Sequence, residues 1–251
     1  MKTFWTVTGM VVAALGVSAL LVAGHQFFNE PSPQAQQAAQ DLPWLIGTAG
    51  DGGSQVMGLR LTPEANQAST LGDALNRWGD KMTVAVIAAP KEVGSLEAYV
   101  DPMQAGFIGG KLVITAQATP AQIEAFKRST RDVSFMESTT RQFKLSGEAL
   151  QEALRAPIVA LGFIPQANLD EATIVARFGQ PSERVRVNDE LTHLLYPAQG
   201  LDIAVSTSGK ELLQYVAPAD FDTRLRAPLA ASVAAGASSP AAAAASTPVN
   251  P

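Results

Sequence analysis

Residues 169–218 read LDEATIVARFGQPSERVRVNDELTHLLYPAQGLDIAVSTSGKELLQYVAP, and the local signals in this stretch agree on one helix followed by short antiparallel strands. Asp170 is a good N-cap, because its carboxylate can accept from the first free N–H groups of a helix that begins at Glu171. Gly179 then supplies the C-terminal cap, and Pro181 prevents continuation. The stretch therefore opens with a predicted helix of about two turns.

Short strand segments follow this helix, each bounded by residues that bend the backbone. Their expected positions are residues 185–187, 191–196, 201–206 and 212–216. The intervening turns are rich in Asn, Asp, Pro, Gly and Ser. Because the connections are short, we expect a meander in which each strand pairs with the next.

The unit resembles the SmpA/OmlA (BamE-like) family of small bacterial envelope domains. The resemblance is carried by ARFGQP at 176–181, LYP at 195–197, and GLDIAV at 200–205 with SGK at 208–210. It implies an α+β fold and a role in envelope assembly. The chain departs from the family in one respect, since it has no cysteine to carry the N-terminal lipid of those lipoproteins.

A second stretch, residues 70–117, shows the same order of features about one hundred residues earlier. Thr70 can cap a helix that Gly79 closes, and strand runs follow at 82–88, 95–100 and 111–117. The alignment pairs Asn76-Arg77-Trp78-Gly79 with Ala176-Arg177-Phe178-Gly179, Tyr99 with Tyr196, and Gly110-Lys111 with Gly209-Lys210. This pattern predicts an internal duplication. The tandem arrangement is similar in architecture to the β-lactamase inhibitor protein fold.

The expected fold class is therefore α+β, with an N-terminal transmembrane helix and tandem helix-plus-antiparallel-meander repeats. The expected divisions are 1–25 anchor or signal, 26–41 polar stalk, 42–118 first repeat, 119–168 connecting helices and strand, 169–222 second repeat, and 223–251 disordered Ala/Pro/Ser tail. Within the connection, the apolar run at 158–164 is typical of a buried strand, and it could merge the two cores into one sheet. The glycine-rich residues 47–53 lack the Lys-Ser/Thr of a phosphate loop and are expected to form a flexible loop.

The first residues of the chain contain a long apolar segment. Residues 4–24 carry no ionisable side chain, and a helix of that length covers the hydrocarbon core of a bilayer. Lys2 precedes the segment and Glu30 follows it, so the positive-inside rule predicts a cytoplasmic N-terminus and a periplasmic domain, anchored by a single pass in the bacterial inner membrane. The alternative is a cleaved signal, with residues 17–19 as the cleavage site, and secretion to the periplasm.

Composition limits the chemistry. The formal net charge is -5, with no run of Lys or Arg, which argues against nucleic-acid binding. No cysteine is present, and the His, Asp and Glu residues show no metal-ligand spacing, so neither metal nor cofactor is expected. His193 has no catalytic motif around it and is interpreted as a sheet histidine rather than a general base.

The residues best suited to contact a partner are the tyrosines, because each offers a large area and a hydroxyl group at low entropic cost. The predicted partner surface comprises Tyr99, His193, Tyr196 and Tyr215. For any single tyrosine, however, a place in the core is the favoured interpretation, because buried aromatic residues outnumber interface anchors.

These features favour a non-enzymatic, membrane-anchored periplasmic protein that mediates protein–protein interaction in the bacterial envelope, with an envelope protein as its partner. The alternative is an exported hydrolase or small-ligand sensor with a cleft between the two repeats. A deep pocket with convergent polar groups, and with His193 within hydrogen-bond reach of an acid, would indicate the alternative.

Overall fold

The strands of the protein lie in two antiparallel sheets, in a computed structural model that describes residues 41–136 and 139–237. The small sheet comes first and contains β1 (Gly47–Thr48), β2 (Ser54–Val56) and β3 (Leu59–Leu61). The large sheet contains β4 (Met82–Ala88), β5 (Ser95–Ala105), β6 (Ile108–Ala116), β7 (Val133–Phe135), β8 (Arg141–Lys144), β9 (Ile158–Pro165), β10 (Glu183–Arg186), β11 (Leu191–Tyr196), β12 (Leu201–Ser206) and β13 (Leu212–Val216). The α-helices of this part of the chain are α1 (Leu71–Trp78), α2 (Pro120–Ser129), α3 (Gly147–Ala153), α4 (Glu171–Phe178) and α5 (Ala227–Ala237).

The ten strands of the large sheet run in the order β10-β11-β12-β13-β9-β6-β5-β4-β8-β7. The central strand β9 pairs with β13 on one side, where Leu161 lies opposite Tyr215, and with β6 on the other, where Leu161 lies opposite Ile114. The apolar run at 158–164 therefore joins both halves of the chain, as the sequence predicts.

The expected fold class, α+β with tandem repeats, is wrong. The described residues form a mostly β structure in which one ten-stranded sheet dominates and the helices are short. Helix α1 precedes the three-stranded meander β4–β6, whereas α4 precedes the four-stranded meander β10–β13. Gly110 and Lys111 lie inside β6, but Gly209 and Lys210 lie in the turn before β13. Short caps and Gly-Lys pairs recur easily by chance, so their alignment did not identify equivalent positions.

The predicted transmembrane helix at residues 4–24 and the stalk up to residue 40 lie outside the described residues. Among the residues that the structure does describe, none of the helices has the length and apolar character needed to cross a bilayer. The expectation of a transmembrane fold therefore finds no counterpart in the described structure.

Helix α4 has the caps that the sequence predicts. The carboxylate of Asp170 accepts a hydrogen bond from the backbone N–H of Thr173 at 2.8 Å, and Gly179 ends the helix with a φ of 85°. Hydrogen bonding to Thr173, from its side chain and from its backbone, lowers the pKa of the Asp170 carboxyl below its usual value. The helix start is thus fixed by a charged cap.

The two faces of the large sheet are covered differently. Alternate residues of each strand point to opposite faces, so Leu194 and Tyr196 enter the main core on the inner face while Leu195 points to the outer face. The inner face is covered by the small sheet and α1 to α4, through Val56, Leu59, Leu61, Leu71, Ala74, Ile123, Phe126, Ala153, Ile174 and Phe178. This inner face holds most of the buried apolar side chains.

The outer face is covered near β11 and β13 by the C-terminal segment. A π-helical turn, Asp222–Arg226, leads into α5, and Phe221, Leu225 and Leu229 pack on Leu195 and Val216. Residues 223–237 are therefore helical, in place of the disordered tail expected from residue 223. The helix is stabilised by large apolar side chains at every fourth position, a stripe that the surrounding alanines obscure in the composition.

The glycine-rich residues 47–53 also differ from the expected flexible loop. They form β1 and the turn that leads into β2, and the Asp51 carboxylate accepts from the backbone N–H of Gly53 at 3.0 Å. Asp51 also pairs with Arg60 on β3. Side-chain hydrogen bonds therefore close a hairpin where the glycine content alone indicated a loop.

Candidate binding groove

Phe107 is an exposed aromatic side chain that borders a cavity, and it lies at the tip of the β5–β6 hairpin. The hairpin turn contains only Gly106 and Phe107, and Gly106 occupies a φ of 64°, a conformation that favours glycine. Phe107 is 73% exposed. The turn therefore holds a large apolar side chain in solvent on a rigid support.

Trp44 joins Phe107 to the helix on the other side of the cavity. Its ring centroid lies 5.8 Å from that of Phe107 and 6.5 Å from that of Phe178, which ends α4. The Phe178 ring in turn lies 6.2 Å from that of Tyr196. These spacings are those of interacting aromatic pairs, so the rings form a continuous wall from the surface into the core.

Arg177 adds a positive charge to this wall. It lies in the last turn of α4, where the helix dipole favours a cation, and its guanidinium carbon lies 4.8 Å from the centre of the Trp44 ring. The side chain is exposed, and it makes no ion pair with the residues that the structure describes. Its N–H donors are therefore directed by Trp44 but remain available to an incoming acceptor.

Together these residues border a cavity of about 480 Å³, which we call the aromatic groove. Its lining is Trp44, Phe107, Ile108, Gly109, Gln166, Ala167, Leu169, Thr173, Ile174, Arg177 and Phe178. The lining is mainly apolar, with one guanidinium at the edge. The groove is thus suited to an apolar or aromatic side chain that has an acceptor, such as a carboxylate, beside it.

Two of the tyrosines predicted to form a partner surface are core residues. The Tyr215 hydroxyl donates to the carbonyl oxygen of Pro43 at 3.0 Å, and the Tyr196 hydroxyl donates to that of Gly179 at 3.1 Å. Both side chains are buried, and burial raises the pKa of each hydroxyl above its usual value. Both therefore occupy the core, which is the position that the sequence favours for any single tyrosine.

Tyr99 lies half-buried on the outer face of β5. Its hydroxyl donates to the carboxylate of Glu97, which also accepts from the Ser95 hydroxyl at 2.6 Å. Burial first, and the Glu97 carboxylate second, raise the pKa of Tyr99 above its usual value. Tyr99 is partly accessible, but its hydroxyl already has a partner on its own strand.

His193 also lies on the outer face, on β11. Its Nδ1 lies 2.8 Å from Asp202 Oδ2, and the described residues place no hydroxyl group within hydrogen-bond distance of the ring. Five strand spacings of about 4.8 Å separate β11 from β5, which carries Tyr99. The structure therefore does not bring the predicted residues into one surface.

An acid within hydrogen-bond reach of His193 was one half of the expected sign of a hydrolase. The other half would be a deep pocket around the pair, and the aromatic groove is not that pocket, because it opens among inner-face residues and is lined by neither His193 nor Asp202. Nor do the described residues contain a group of three or more His, Asp or Glu that could hold a metal ion. The groove residues themselves were missed in the sequence, although Phe107 directly after Gly106 between two apolar runs is a hairpin signal.

Comparisons with known proteins add no relative. No family model matches the sequence, and neither the curated proteins nor the solved structures contain a significant match. The resemblance to the SmpA/OmlA family therefore stays a prediction from residues 176–210.

Proposed function

We propose that the protein is a non-enzymatic binding protein of the bacterial cell envelope, and that it binds another envelope protein through the aromatic groove. The observation that carries the proposal is the exposed Phe107 beside Trp44, together with Arg177, which lies over the Trp44 ring and pairs with no carboxylate of the described residues. Trp and Arg are the residue types that dominate the binding energy of protein interfaces, particularly around an apolar centre. The location rests on the sequence, through its uncharged apolar leader and its SmpA/OmlA-like stretch.

The test is photocrosslinking in cells from a benzophenone amino acid placed at position 107. Position 93 provides a matched control, because Val93 is also an exposed apolar residue but lies in the β4–β5 turn, away from the groove. We expect one protein to be crosslinked reproducibly from position 107, not from position 93, and to be lost in the Arg177→Ala variant. Purified partner should then bind the wild-type protein and lose affinity for Arg177→Ala.

Absence of a reproducible partner from position 107 would argue against the proposal. Location is tested separately, by cell fractionation combined with protease accessibility of a C-terminal tag. Accessibility after the outer membrane is opened supports a periplasmic domain, whereas protection until the inner membrane is broken contradicts it.

A second candidate function is the sensing of a small apolar ligand. It is favoured by the position of the groove, which lies between the β5–β6 hairpin of the first half and α4 of the second half and has the volume of many ligand sites. Native mass spectrometry of protein purified without detergent tests this candidate. A bound small molecule that is retained by the wild type and lost in Phe107→Ser and Arg177→Ala supports it, and a clean apo mass for the wild type argues against it.

A further inference from the structure

Among the described strands, β7 lies at one end of the large sheet and pairs with β8 alone. The Lys144 N–H donates to the Asp132 carbonyl, and the Met136 N–H donates to the Thr140 carbonyl, so the even-numbered residues direct their backbone groups toward β8. Backbone groups alternate along a strand. The N–H and C=O of Phe135 and the C=O of Val133 therefore point away from the sheet.

The side chains of this edge are apolar and exposed. Val133, Phe135 and Met136 are 41%, 74% and 44% exposed. Val133 and Phe135 project to the same face, beside Phe143 and Arg141 on β8. An exposed apolar edge strand is a template for the addition of another strand, and most proteins protect such edges.

The opposite edge of the sheet shows that protection. Strand β10 carries Glu183, Arg184 and Arg186 within four residues. Glu183 pairs with Arg226 of the C-terminal segment, and Arg184 pairs with Glu171 at 2.9 Å. Charged side chains and ion pairs thus discourage strand addition at β10, whereas β7 contains no charged residue.

The surroundings of β7 are basic. Residues 128–144 contain four basic residues, Arg128, Arg131, Arg141 and Lys144, and two acidic ones, Asp132 and Glu137, so this segment is positive overall in a chain whose net charge is -5. All four basic side chains are exposed, and none forms an ion pair with a carboxylate of the described residues. The edge is therefore an apolar strip within a local excess of positive charge.

We infer that β7 is a docking site for an extended, acidic segment of a partner protein, which adds to the sheet as an eleventh strand. The backbone of the added segment hydrogen-bonds to the backbone of Phe135 and Val133, and its alternate apolar side chains pack on the side chains of these two residues. Asp or Glu residues at the ends of the segment face Arg131, Arg141 and Lys144. Pairing of β7 with β7 of a second copy is disfavoured, since it would bring two basic clusters together. The site does not depend on the aromatic groove.

The test uses the full chain and a short fluorescent peptide with alternating Val and Thr in its centre and Asp or Glu at both ends. The control peptide has Lys in place of every acidic residue. We expect the acidic peptide to bind, the basic peptide to bind at least about tenfold more weakly, and added salt to weaken the acidic complex. Equal binding of both peptides, or binding of neither, overturns the inference.

Variants separate the backbone from the side-chain contribution. Phe135→Pro removes an outward N–H that is not bonded to any of the described residues, and proline is tolerated at such edge positions, so this variant should fold and lose binding. Phe135→Thr keeps the N–H and should lose only part of the affinity. Thermal melts and circular dichroism check folding, and Arg141→Gln with Lys144→Gln should reduce binding without loss of structure.

Two further measurements show which molecule occupies the β7 edge and whether this site is independent of the aromatic groove. Sedimentation that shows a dimer of the wild type, converted to monomer by Phe135→Pro, assigns the edge to a second copy and overturns the inference. Phe107→Ser should leave peptide binding at β7 unaltered even if it abolishes crosslinking from the groove. The failure of one proposal is thereby distinguished from the failure of the other.

Discussion

The imidazole of His193 is held by the carboxylate of Asp202 across two neighbouring strands, with Nδ1 2.8 Å from Oδ2 and 3.0 Å from Oδ1. The Asp202 side chain is only 3% exposed, so its carboxylate depends on this donor. Removal of the donor leaves a buried polar group without its partner. We expect His193→Ala to lower the free energy of unfolding by roughly 1–3 kcal/mol, as measured by chemical denaturation.

The control is His193→Gln, which keeps a side-chain donor and should be less destabilised. If the alanine variant is as stable as the wild type, the pair contributes nothing to the fold. The same variant also tests the proposed function, because a binding protein should still crosslink its partner from position 107 when it is folded. A hydrolase that depends on His193 would lose its role entirely.

The residues of the aromatic groove should differ in how much they contribute to stability, because Phe178 is buried at its base and Phe107 is exposed at its rim. Phe178 is buried against Ile174 and Tyr196, so Phe178→Ala is expected to lower the free energy of unfolding by about 3–5 kcal/mol. Phe107 is exposed, so Phe107→Ser should lower it by less than about 1 kcal/mol. Denaturant titrations of the two variants measure this difference, and similar losses would contradict the assignment of Phe107 to the rim.

The N-terminal cap of α4 should make stability depend on acid pH. The folded pKa of Asp170 lies below its usual value of 3.8, so the charged cap stabilises the protein above that pH. This contribution is lost as the pH falls through the folded pKa. Asp170→Asn keeps a capping oxygen without the charge. The wild type should therefore melt above Asp170→Asn at neutral pH, and the difference should shrink below about pH 3.8.

Measured melting temperatures across this range provide the test, with Asp189→Asn as the matched control. Asp189 is an exposed turn residue that pairs with Arg186 on the surface and caps no helix. A constant difference between the wild type and Asp170→Asn at all pH values would exclude the charged cap as the cause.

The C-terminal helix should contribute to the stability of the sheet. Leu225 is buried with Leu195 and Val216 on the outer face, so Leu225→Ala removes apolar contacts on both elements. We expect the free energy of unfolding to fall by about 2 kcal/mol, near the low end for such substitutions, because one side of the helix faces solvent. Ala230→Ser, at an exposed position of α5, directly after the π-helical turn that holds Leu225, should change it by less than about 0.5 kcal/mol. A negligible loss in Leu225→Ala would show that the helix does not stabilise β11 and β13.

The sequence was sufficient where local chemistry determines the structure. The cap at Asp170, the helix end at Gly179 and the strands at 191–196, 201–206 and 212–216 follow from residues within a few positions of one another. The run at 158–164 was also identified as a strand that joins the halves. Its apolar composition reflects a position between two strands that are distant in the chain.

The features that the sequence did not predict depend on contacts between residues that are distant in the chain. Tyr215 was included in the predicted partner surface, but its hydroxyl donates to the carbonyl oxygen of Pro43, a pairing that no local pattern contains. The aromatic groove likewise requires Trp44, Phe107 and Phe178 to meet from three separate segments. The small sheet packs on the main core through Val56, Leu59 and Leu61, a contact between distant parts of the chain that the glycine content of residues 47–53 does not indicate.

The central position of β9 also determines which pieces of the chain can exist alone. A fragment that ends before residue 158 leaves β6 paired on one side only, with β5, and a fragment that begins after residue 165 leaves β13 paired on one side only, with β12. Each piece would then expose the unpaired edge of an apolar strand, so it should aggregate or pair with a strand of another molecule. A synthetic peptide with the sequence of residues 158–165, supplied to the two pieces together, should reconstitute the split protein, because it restores the strand between β6 and β13.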